Sequence, residues 1–409
     1  MSDLKQRLLD EMRTWEIIDC HEHLPPESVR LAQPVDALTL FSHYTHNDLI
    51  TAGMSREDYD RTQDHALPLC ERWELVKPYW ERIRFTGYAR PILYALRRFY
   101  EADDLTDDTV AAVSERMQAN NTPGLYERVM REACHIRLCL TQIGRVPDEN
   151  RDLLVPILPL DQFATAPGLY EMGEQASLRG VRTLADYLEV VRANLQCAKR
   201  QGVVGLKMMS AVLPPEDPAA AASAWAALRA GQEHDSAALA TYLKHQVLEL
   251  AAAEDLTVAV HCGIIWTNWQ DFTTLHPRHM IPTILAHRRT RFDLYHAGIP
   301  WLRETGVIAK SYPNVWLNLC WCHIISPQMS MAALNEWLDL VPYNKILGFG
   351  GDYGRPVEKV YGHLQLALED IATVLAGRVE QGWMGEAQAL RVAHAWLWDN
   401  PVELYRLRV

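Results

Sequence analysis

The sequence has no long apolar run and no N-terminal stretch typical of a secretory signal. A membrane-spanning helix needs about 20 consecutive apolar residues, so the lack of such a run predicts a soluble protein with no membrane contact. We expect a cytoplasmic location. Because 48% of the 409 residues are hydrophobic, the chain can still bury a large core.

Dense basic clusters are also missing, and the formal net charge is −12. Nucleic-acid binding relies on clustered Lys and Arg side chains that neutralise phosphates. We therefore expect no nucleic-acid partner and predict a small-molecule substrate instead. The composition leaves open whether the chain forms a homo-oligomer.

The eight cysteines contain no CxxC pair. In a chain without a secretory signal, scattered cysteines are typical of buried thiols and not of a disulfide framework. We predict that they are buried and unpaired.

A short apolar run does occur near the N-terminus, and it ends in His21-Glu22-His23. Alternate side chains of a strand share a face, so both imidazoles can reach one cation. Alone, this motif fits equally a strand end with two solvated or buried histidines. A metal site therefore needs further ligands from elsewhere in the chain.

From residue 134 onward, short β-branched runs alternate with amphipathic helices, which is the pattern of parallel strands. The predicted strands are residues 16–21, 135–141, 154–160, 203–209, 256–263, 292–298, 315–321 and 346–352. They predict an α/β fold, a (β/α)₈ TIM barrel built from residues 1–23 and 134–409. Residues 24–133 lack this alternation and are predicted to form a helical insertion between strands one and two. This insertion is a lid or a subunit contact.

Metal-binding residues recur at the ends of the predicted strands. His21 and His23 end strand one, and the other three are His261 after strand five, His296 after strand six and Asp352 after strand eight. Because the carboxyl ends of barrel strands meet on one face, we expect these side chains to lie close together. Three or four imidazoles and a carboxylate suit Zn²⁺ or a similar divalent ion.

This set of residues, in this order, resembles the amidohydrolase superfamily of metal-dependent barrels, and within it the amidohydrolase-related branch. The resemblance implies that His21, His23 and His261 bind the ion, while Asp352 completes its shell or takes a proton from the bound water. The implied reaction is attack of metal-bound hydroxide on a carbonyl-type carbon of a small amide, ester or lactone. Decarboxylases and uronate isomerases also belong to this superfamily, so a lyase or isomerase is the alternative.

Three further residues have two interpretations each. His296 is either a ligand to a second ion or a general acid–base, and we favour the acid–base role with one ion per chain. Lys207 ends strand four, where binuclear members of the family carry a carboxylated lysine; otherwise it forms a salt bridge or faces the substrate. Arg355 lies three residues past Asp352 and either grips a substrate carboxylate or forms an ion pair.

Residues near the motifs carry weaker signals. Asp19 is predicted either to orient a ligand imidazole or to cap nearby backbone. The loop after His261 holds Trp266 and Trp269, which form a substrate wall or pack against the insertion. His43, His46 and His65 are predicted to be solvated or structural.

Overall fold

The structure is a computed structural model that describes residues 3–164 and 181–409. In these ranges, eight parallel strands pair in chain order from β1 to β8. Their bounds are β1 Ile17–Glu22, β2 Ile136–Gln142, β3 Leu154–Pro159, β4 Gly205–Met208, β5 Thr257–Val260, β6 Arg291–Leu294, β7 Val315–Asn318 and β8 Ile346–Leu347. The amide of Cys20 donates to Phe349 O at 3.0 Å, which brings the chain after β8 against β1. The result is a nearly closed barrel, and the predicted fold is confirmed.

Helices cover the outside of the barrel and fill the long connection between β1 and β2. The α-helices are α1 Asp3–Met12, α2 Glu27–Leu31, α3 Thr45–Thr51, α4 Arg56–Thr62, α5 Leu69–Ile83, α6 Arg90–Phe99, α7 Val110–Asn120, α8 Asp161–Ala164, α9 Leu184–Arg200, α10 Pro218–Arg229, α11 Ser236–Ala253, α12 Ile281–Ala286, α13 Leu302–Ser311, α14 Cys322–Ile325, α15 Pro327–Leu340, α16 Glu358–Glu380, α17 Glu386–His394 and α18 Asn400–Tyr405. Short 3₁₀ segments are Ala37–Phe41, Thr273–Leu275, Pro277–Met280, Tyr295–Gly298 and Tyr343–Lys345, and π-helical segments are Glu127–Ala133 and Ala395–Asp399. None of the helices in the described ranges combines the length and apolarity needed to cross a membrane.

Four strands, β5 to β8, end three or more residues earlier than the sequence predicted. His261 follows β5, His296 lies in a 3₁₀ turn after β6, and Asp352 lies five residues past the end of β8 at Leu347. His296 and Asp352 have left-handed backbone, with φ of 61° and 62°. A strand cannot continue through that conformation, so both side chains are placed by turns.

The helices between β1 and β2 have a hydrophobic core of their own, which includes Trp73, Val76 and Trp80. This region packs on the barrel through α6 and α16, where a Cβ on Gly362 would lie 2.5 Å from Pro91 Cα. A buried ion pair joins Arg30 Nη2 to Glu358 Oε1 at 3.0 Å. The limits of the insertion at residues 24 and 133 stay a prediction.

All eight cysteines are free thiols. Six of them are buried, including Cys20 and Cys262 beside the candidate ligands. The prediction of burial is wrong for Cys70, which is exposed on α5, and Cys197 is partly exposed. Cys70 lies on α5 in the region between β1 and β2, and Cys197 lies on α9 outside the barrel; one face of each helix meets solvent.

Candidate metal centre

The centre forms where the end of β1 meets the turn after β8. His21 Nε2 lies 3.1 Å from Asp352 Oδ1, and His23 Nε2 lies 3.3 Å from the same oxygen. One donor atom from each of these residues lies within 4.8 Å of the others. His21 and Asp352 are buried, whereas 35% of the His23 side chain is exposed. The three therefore converge at the bottom of an accessible site.

Burial controls the charge of these groups. It lowers the pKa of His21 to about 3, with help from the nearby Lys207 ammonium. Burial alone would raise the pKa of Asp352, but its contacts with His21 and His23 outweigh burial and lower this pKa well below its usual range. At neutral pH the site holds a neutral imidazole at His21 and an ionised carboxylate, which are the forms that bind a metal ion.

The hydrogen bonding of His21 provides a test of whether a divalent ion fits. Among the described residues, neither ring nitrogen of this buried side chain has a hydrogen-bond partner, although Nε2 lies close to the Asp352 carboxylate. A buried polar group without a partner costs free energy. A cation held by the imidazoles and the carboxylate removes that cost, so the donor set fits a divalent ion with nitrogen and oxygen ligands.

His296 and His261 form a chain of contacts beside the cluster of His21, His23 and Asp352. His296 Nδ1 lies 3.1 Å from Cys320 O, His296 Nε2 lies 3.1 Å from His261 Nδ1, and His261 Nε2 lies 2.9 Å from Ile264 O. Burial lowers the pKa of His261 to about 4 and that of His296 well below its usual value. Two neutral imidazoles carry two N–H groups, but three hydrogen bonds need three. One of these contacts therefore brings two lone pairs together and is easily exchanged for another partner.

Backbone hydrogen bonds hold the Asp352 turn against β1. Asp19 Oδ1 accepts from the amides of His21 and Gly351 at 3.1 and 3.2 Å, and Glu22 Oε2 accepts from the amide of Tyr353 at 2.5 Å. Asp352 N donates to His21 O at 2.8 Å. Asp19 thus follows the capping alternative, because its hydrogen bonds go to backbone amides and to the Glu22 carboxyl and not to a ligand imidazole.

The α2–α7 region also reaches the centre. The hydroxyl of Tyr44 donates to Asp352 O at 2.5 Å, and its ring stacks on Trp321 with centroids 4.4 Å apart. His43 beside it stacks on Trp266. A side chain from between β1 and β2 therefore fixes the backbone of a candidate ligand.

A cavity of about 260 Å³ opens above these residues. It is lined by His21, His23, His43, Tyr44, Gln142, Lys207, Met209, His261, Trp266, His296, Trp321 and Asp352. All five predicted ligand and acid–base residues line one cavity. Trp266 contributes to the predicted aromatic wall, but Trp269 does not, because it is 99% exposed.

The two additional candidates differ in position. Lys207 lines the cavity with its ammonium 3.6 Å from the centroid of the Tyr295 ring. Arg355 is not among the lining residues; its Nη2 donates to Pro34 O at 3.3 Å. In the described part of the chain, no carboxylate lies within 4.0 Å of Arg355, so the predicted ion pair is absent there. Its side chain instead ties the turn after Asp352 to the region before α3.

Sequence reasoning missed several lining residues. Gln142 and Met209 lie at the ends of β2 and β4 and are not metal-binding residue types, so the search for ligands passed over them. Their position at the carboxyl ends of barrel strands was the signal that could have identified them. His43 and Tyr44 lie in the predicted insertion, and His43 was expected to be solvated or structural. Packing of the α2–α7 region on the barrel brings both residues to the cavity, a position that this expectation did not include.

Comparisons with known proteins agree with this architecture. Uronate isomerase from Thermotoga maritima superposes with a TM-score of 0.77 at 16% identity, over 99% of this chain and 98% of that one. Glucuronate isomerase from Caulobacter crescentus gives 0.76 at 15% identity, over 100% and 95%. A putative metal-dependent hydrolase from Lactobacillus casei gives 0.64 at 19% identity, over 98% and 99%. At these identities the likeness establishes the fold and leaves the reaction open.

Sequence comparison adds a partial relative and a family. Protein fluG of Emericella nidulans is 27% identical over 172 residues, which are 41% of this chain and 20% of fluG, so the match spans a fifth of that relative. The model of the amidohydrolase family matches residues 176–407, more than half of the chain. Together with the eight-stranded barrel and its His-His-Asp cluster, this match shows that the chain belongs to the amidohydrolase family of metal-dependent barrel enzymes.

Proposed function

We propose that this chain is a divalent-metal hydrolase that attacks a carbonyl-type carbon of a small amide, ester or lactone. The observation that carries the proposal is the cluster of His21, His23 and Asp352 at the floor of a cavity of about 260 Å³. A cavity of this size accepts a small organic molecule. A divalent ion, with Zn²⁺ favoured, would supply an activated water and an electrophilic centre for the carbonyl.

The ligands of this ion would be His21, His23, Asp352 and His261. The first three support the assignment through their distances. His261 lines the same cavity, and its ring now contacts His296 and Ile264 O. Its place among the ligands requires it to give up one of these contacts, and the shortage of N–H groups in that chain makes the exchange inexpensive.

The second carboxylate oxygen of Asp352, Oδ2, is available for proton transfer. Oδ1 faces both imidazoles, whereas Oδ2 lies 3.8 Å from His296 Nδ1, too far for a hydrogen bond. As an ionised carboxylate, Asp352 can accept a proton from the attacking water at Oδ2. His296 would then carry a proton to or from the substrate through Nε2, once that atom releases His261.

An isomerase is the second candidate. The observation that favours it is the superposition on uronate isomerase, which covers 99% of this chain, including the helices between β1 and β2, at a higher TM-score than the hydrolase. In this alternative the substrate is a sugar acid, and His296 or Asp352 moves a proton between neighbouring carbons.

The two functions differ in whether water is consumed. We would screen the zinc-loaded protein against lactones, amides, aromatic carboxylates and uronates, in water enriched in ¹⁸O. Hydrolysis consumes one water and places one label in the newly formed carboxylate. Isomerisation consumes no water, and its product is weighed from a parallel reaction in unlabelled water because a sugar carbonyl exchanges its oxygen with solvent. Conversion of a uronate without change of mass, and no turnover of lactones or amides, would contradict the hydrolase.

A further inference from the structure

Lys207 carries a buried charge for which the described residues supply no direct partner. Its side chain is 1% exposed, and Nζ has no hydrogen-bond acceptor among them. The ammonium lies 3.6 Å from the centroid of the Tyr295 ring, a cation–π contact worth about 2 kcal/mol when desolvated. Burying an unpaired ammonium costs several kcal/mol, so this contact offsets only part of the cost.

The acidic groups near Lys207 form no ion pair with it among the described residues. Asp293 lies at the same level of the barrel, two strands away; its Oδ2 accepts from Asn318 at 2.9 Å and from Tyr405 at 2.6 Å, and its Oδ1 has no partner in the described ranges but lies beyond ion-pair distance of Lys207 Nζ. Asp352 directs its carboxylate to His21 and His23. No carboxylate of the described ranges lies within 4.0 Å of Lys207 Nζ, and the Lys207 side chain lines the cavity.

Gln142 provides a second group of this kind at the end of β2. Among the described residues, its Nε2 donates only to the sulfur of Met209, a weak acceptor at 3.9 Å, so this amide nitrogen is available to a stronger acceptor. Gln142, Met209 and Lys207 line the same cavity as the metal-binding cluster. The cavity thus holds two polar side chains whose hydrogen-bonding capacity the described residues leave largely unused.

We propose that the Lys207 ammonium and Nε2 of Gln142 donate hydrogen bonds to an anionic oxygen of the substrate, separate from the group that reacts at the metal. The substrate class is therefore a small organic acid that carries a carboxylate in addition to the reacting carbonyl. This inference rests on the proposed metal-dependent function. With a divalent ion bound beside one ionised carboxylate, the cavity keeps a net positive charge, which favours an anion even though the whole chain is acidic.

The test uses probes that share a metal-binding group and differ in the second charge. Monohydroxamates of malonic, succinic and glutaric acid are compared with the same hydroxamates in which a methyl group replaces the carboxylate. Affinities are measured by calorimetry on the zinc-loaded protein. For at least one chain length, we expect the carboxylate probe to bind about tenfold or more tightly than its methyl analogue.

Lys207→Met should bring the ratio of the two affinities, carboxylate probe over methyl probe, close to one. The affinity of the methyl probe and the zinc content should stay unchanged. Those two readouts also show that the variant is folded. Lys345→Met is the matched control: it removes a lysine 3.3 Å from the Trp316 ring, outside this cavity, and should leave the ratio unaltered. Gln142→Leu should weaken the carboxylate probe several-fold, which provides a second variant.

Equal affinity of wild-type protein for both probes at every chain length would overturn the inference. A carbamate on Lys207, seen as a ¹³C resonance after growth with labelled bicarbonate, would also overturn it, because the modified side chain is an anion. If neither hydroxamate bound the zinc-loaded protein, the metal site itself would be wrong, and this inference would fall with it.

Discussion

At the scale of single residues, two residues of the candidate metal centre adopt arrangements that cost free energy in the absence of an ion. His21 is buried with no hydrogen-bond partner among the described residues, and Asp352 is held in left-handed backbone by contacts from β1 and from Tyr44. Without an ion, neither arrangement stabilises the folded chain. Both become favourable when a cation occupies the space between the side chains.

His21→Ala should remove the bound ion, because it deletes a neutral imidazole that the described residues leave free to bind it. Metal content measured by elemental analysis after zinc loading should fall at least tenfold. The half-exposed His394, which lies outside the cavity, gives a control, since His394→Ala should retain the ion. The same measurement on His261→Ala decides whether this residue is a ligand. Full metal content in His21→Ala/His23→Ala would contradict the site.

Asp352→Asn should lower turnover by about 10² to 10⁴, since the amide cannot accept a proton but keeps the size of the side chain. Metal content should fall less than in His21→Ala. Turnover and zinc content are measured on the same sample, so loss of the ion is separated from loss of the base. Near-normal turnover would remove Asp352 from the mechanism.

His296→Asn should reduce turnover while one ion per chain is retained. His296 lines the cavity beside the cluster of His21, His23 and Asp352, and its Nδ1 lies 3.8 Å from Asp352 Oδ2, so it can act on the substrate without holding the ion. Elemental analysis that found two ions per chain in wild-type protein would instead place His296 in the ligand set.

At the scale of secondary-structure elements, close helix packing joins the α2–α7 region to the barrel. Gly362 on α16 faces the backbone of Pro91 on α6, and a Cβ there would lie 2.5 Å from Pro91 Cα and 2.7 Å from its oxygen. Because backbone cannot move aside like a flexible side chain, glycine is required at this contact. A Cβ added to Gly377 on the same helix would have no atom of the described residues within 4 Å, so that position imposes no such demand.

Gly362→Ala should therefore destabilise the protein by about 1 to 3 kcal/mol through overpacking. Gly377→Ala, in the same helix but in open space, should be neutral or stabilise by up to about 1 kcal/mol through helix propensity. Urea denaturation of both variants measures the difference. Equal stabilities would show that α6 and α16 separate without cost.

At the scale of the whole molecule, the hydrophobic core does not depend on the ion. Buried apolar side chains from the strands and from the outer helices form one large cluster around the barrel. We therefore expect this core to fold without a metal, unlike that of a zinc finger. The ion should then add stability only by binding the native state.

Removal of the ion with a chelator should leave the far-UV circular dichroism unchanged and lower the Tm by several degrees. Return of zinc should restore the Tm. The control is His21→Ala, whose Tm should not respond to the chelator. Loss of secondary structure on chelation would show that the ion is needed for folding.

The sequence predicted the barrel and the residues of the centre because alternating strands and helices, and metal-binding residues at strand ends, are local patterns. It could not predict where β5, β6 and β8 end, because the turns at His296 and Asp352 are set by contacts with other strands. Gln142 and Tyr44 were missed for the same reason. Their roles come from neighbours distant in the chain, which no spacing reveals.

The hydrogen bond from Tyr44 to Asp352 O limits how this enzyme can be re-engineered. His43 and Tyr44 form part of the cavity wall and would be natural targets for a library that alters substrate preference. Because Tyr44 also fixes the backbone of a candidate ligand, randomising it changes wall shape and metal affinity together. Libraries that keep Tyr44 and vary Gln142, Met209 and Trp266 should change substrate preference without lowering metal affinity.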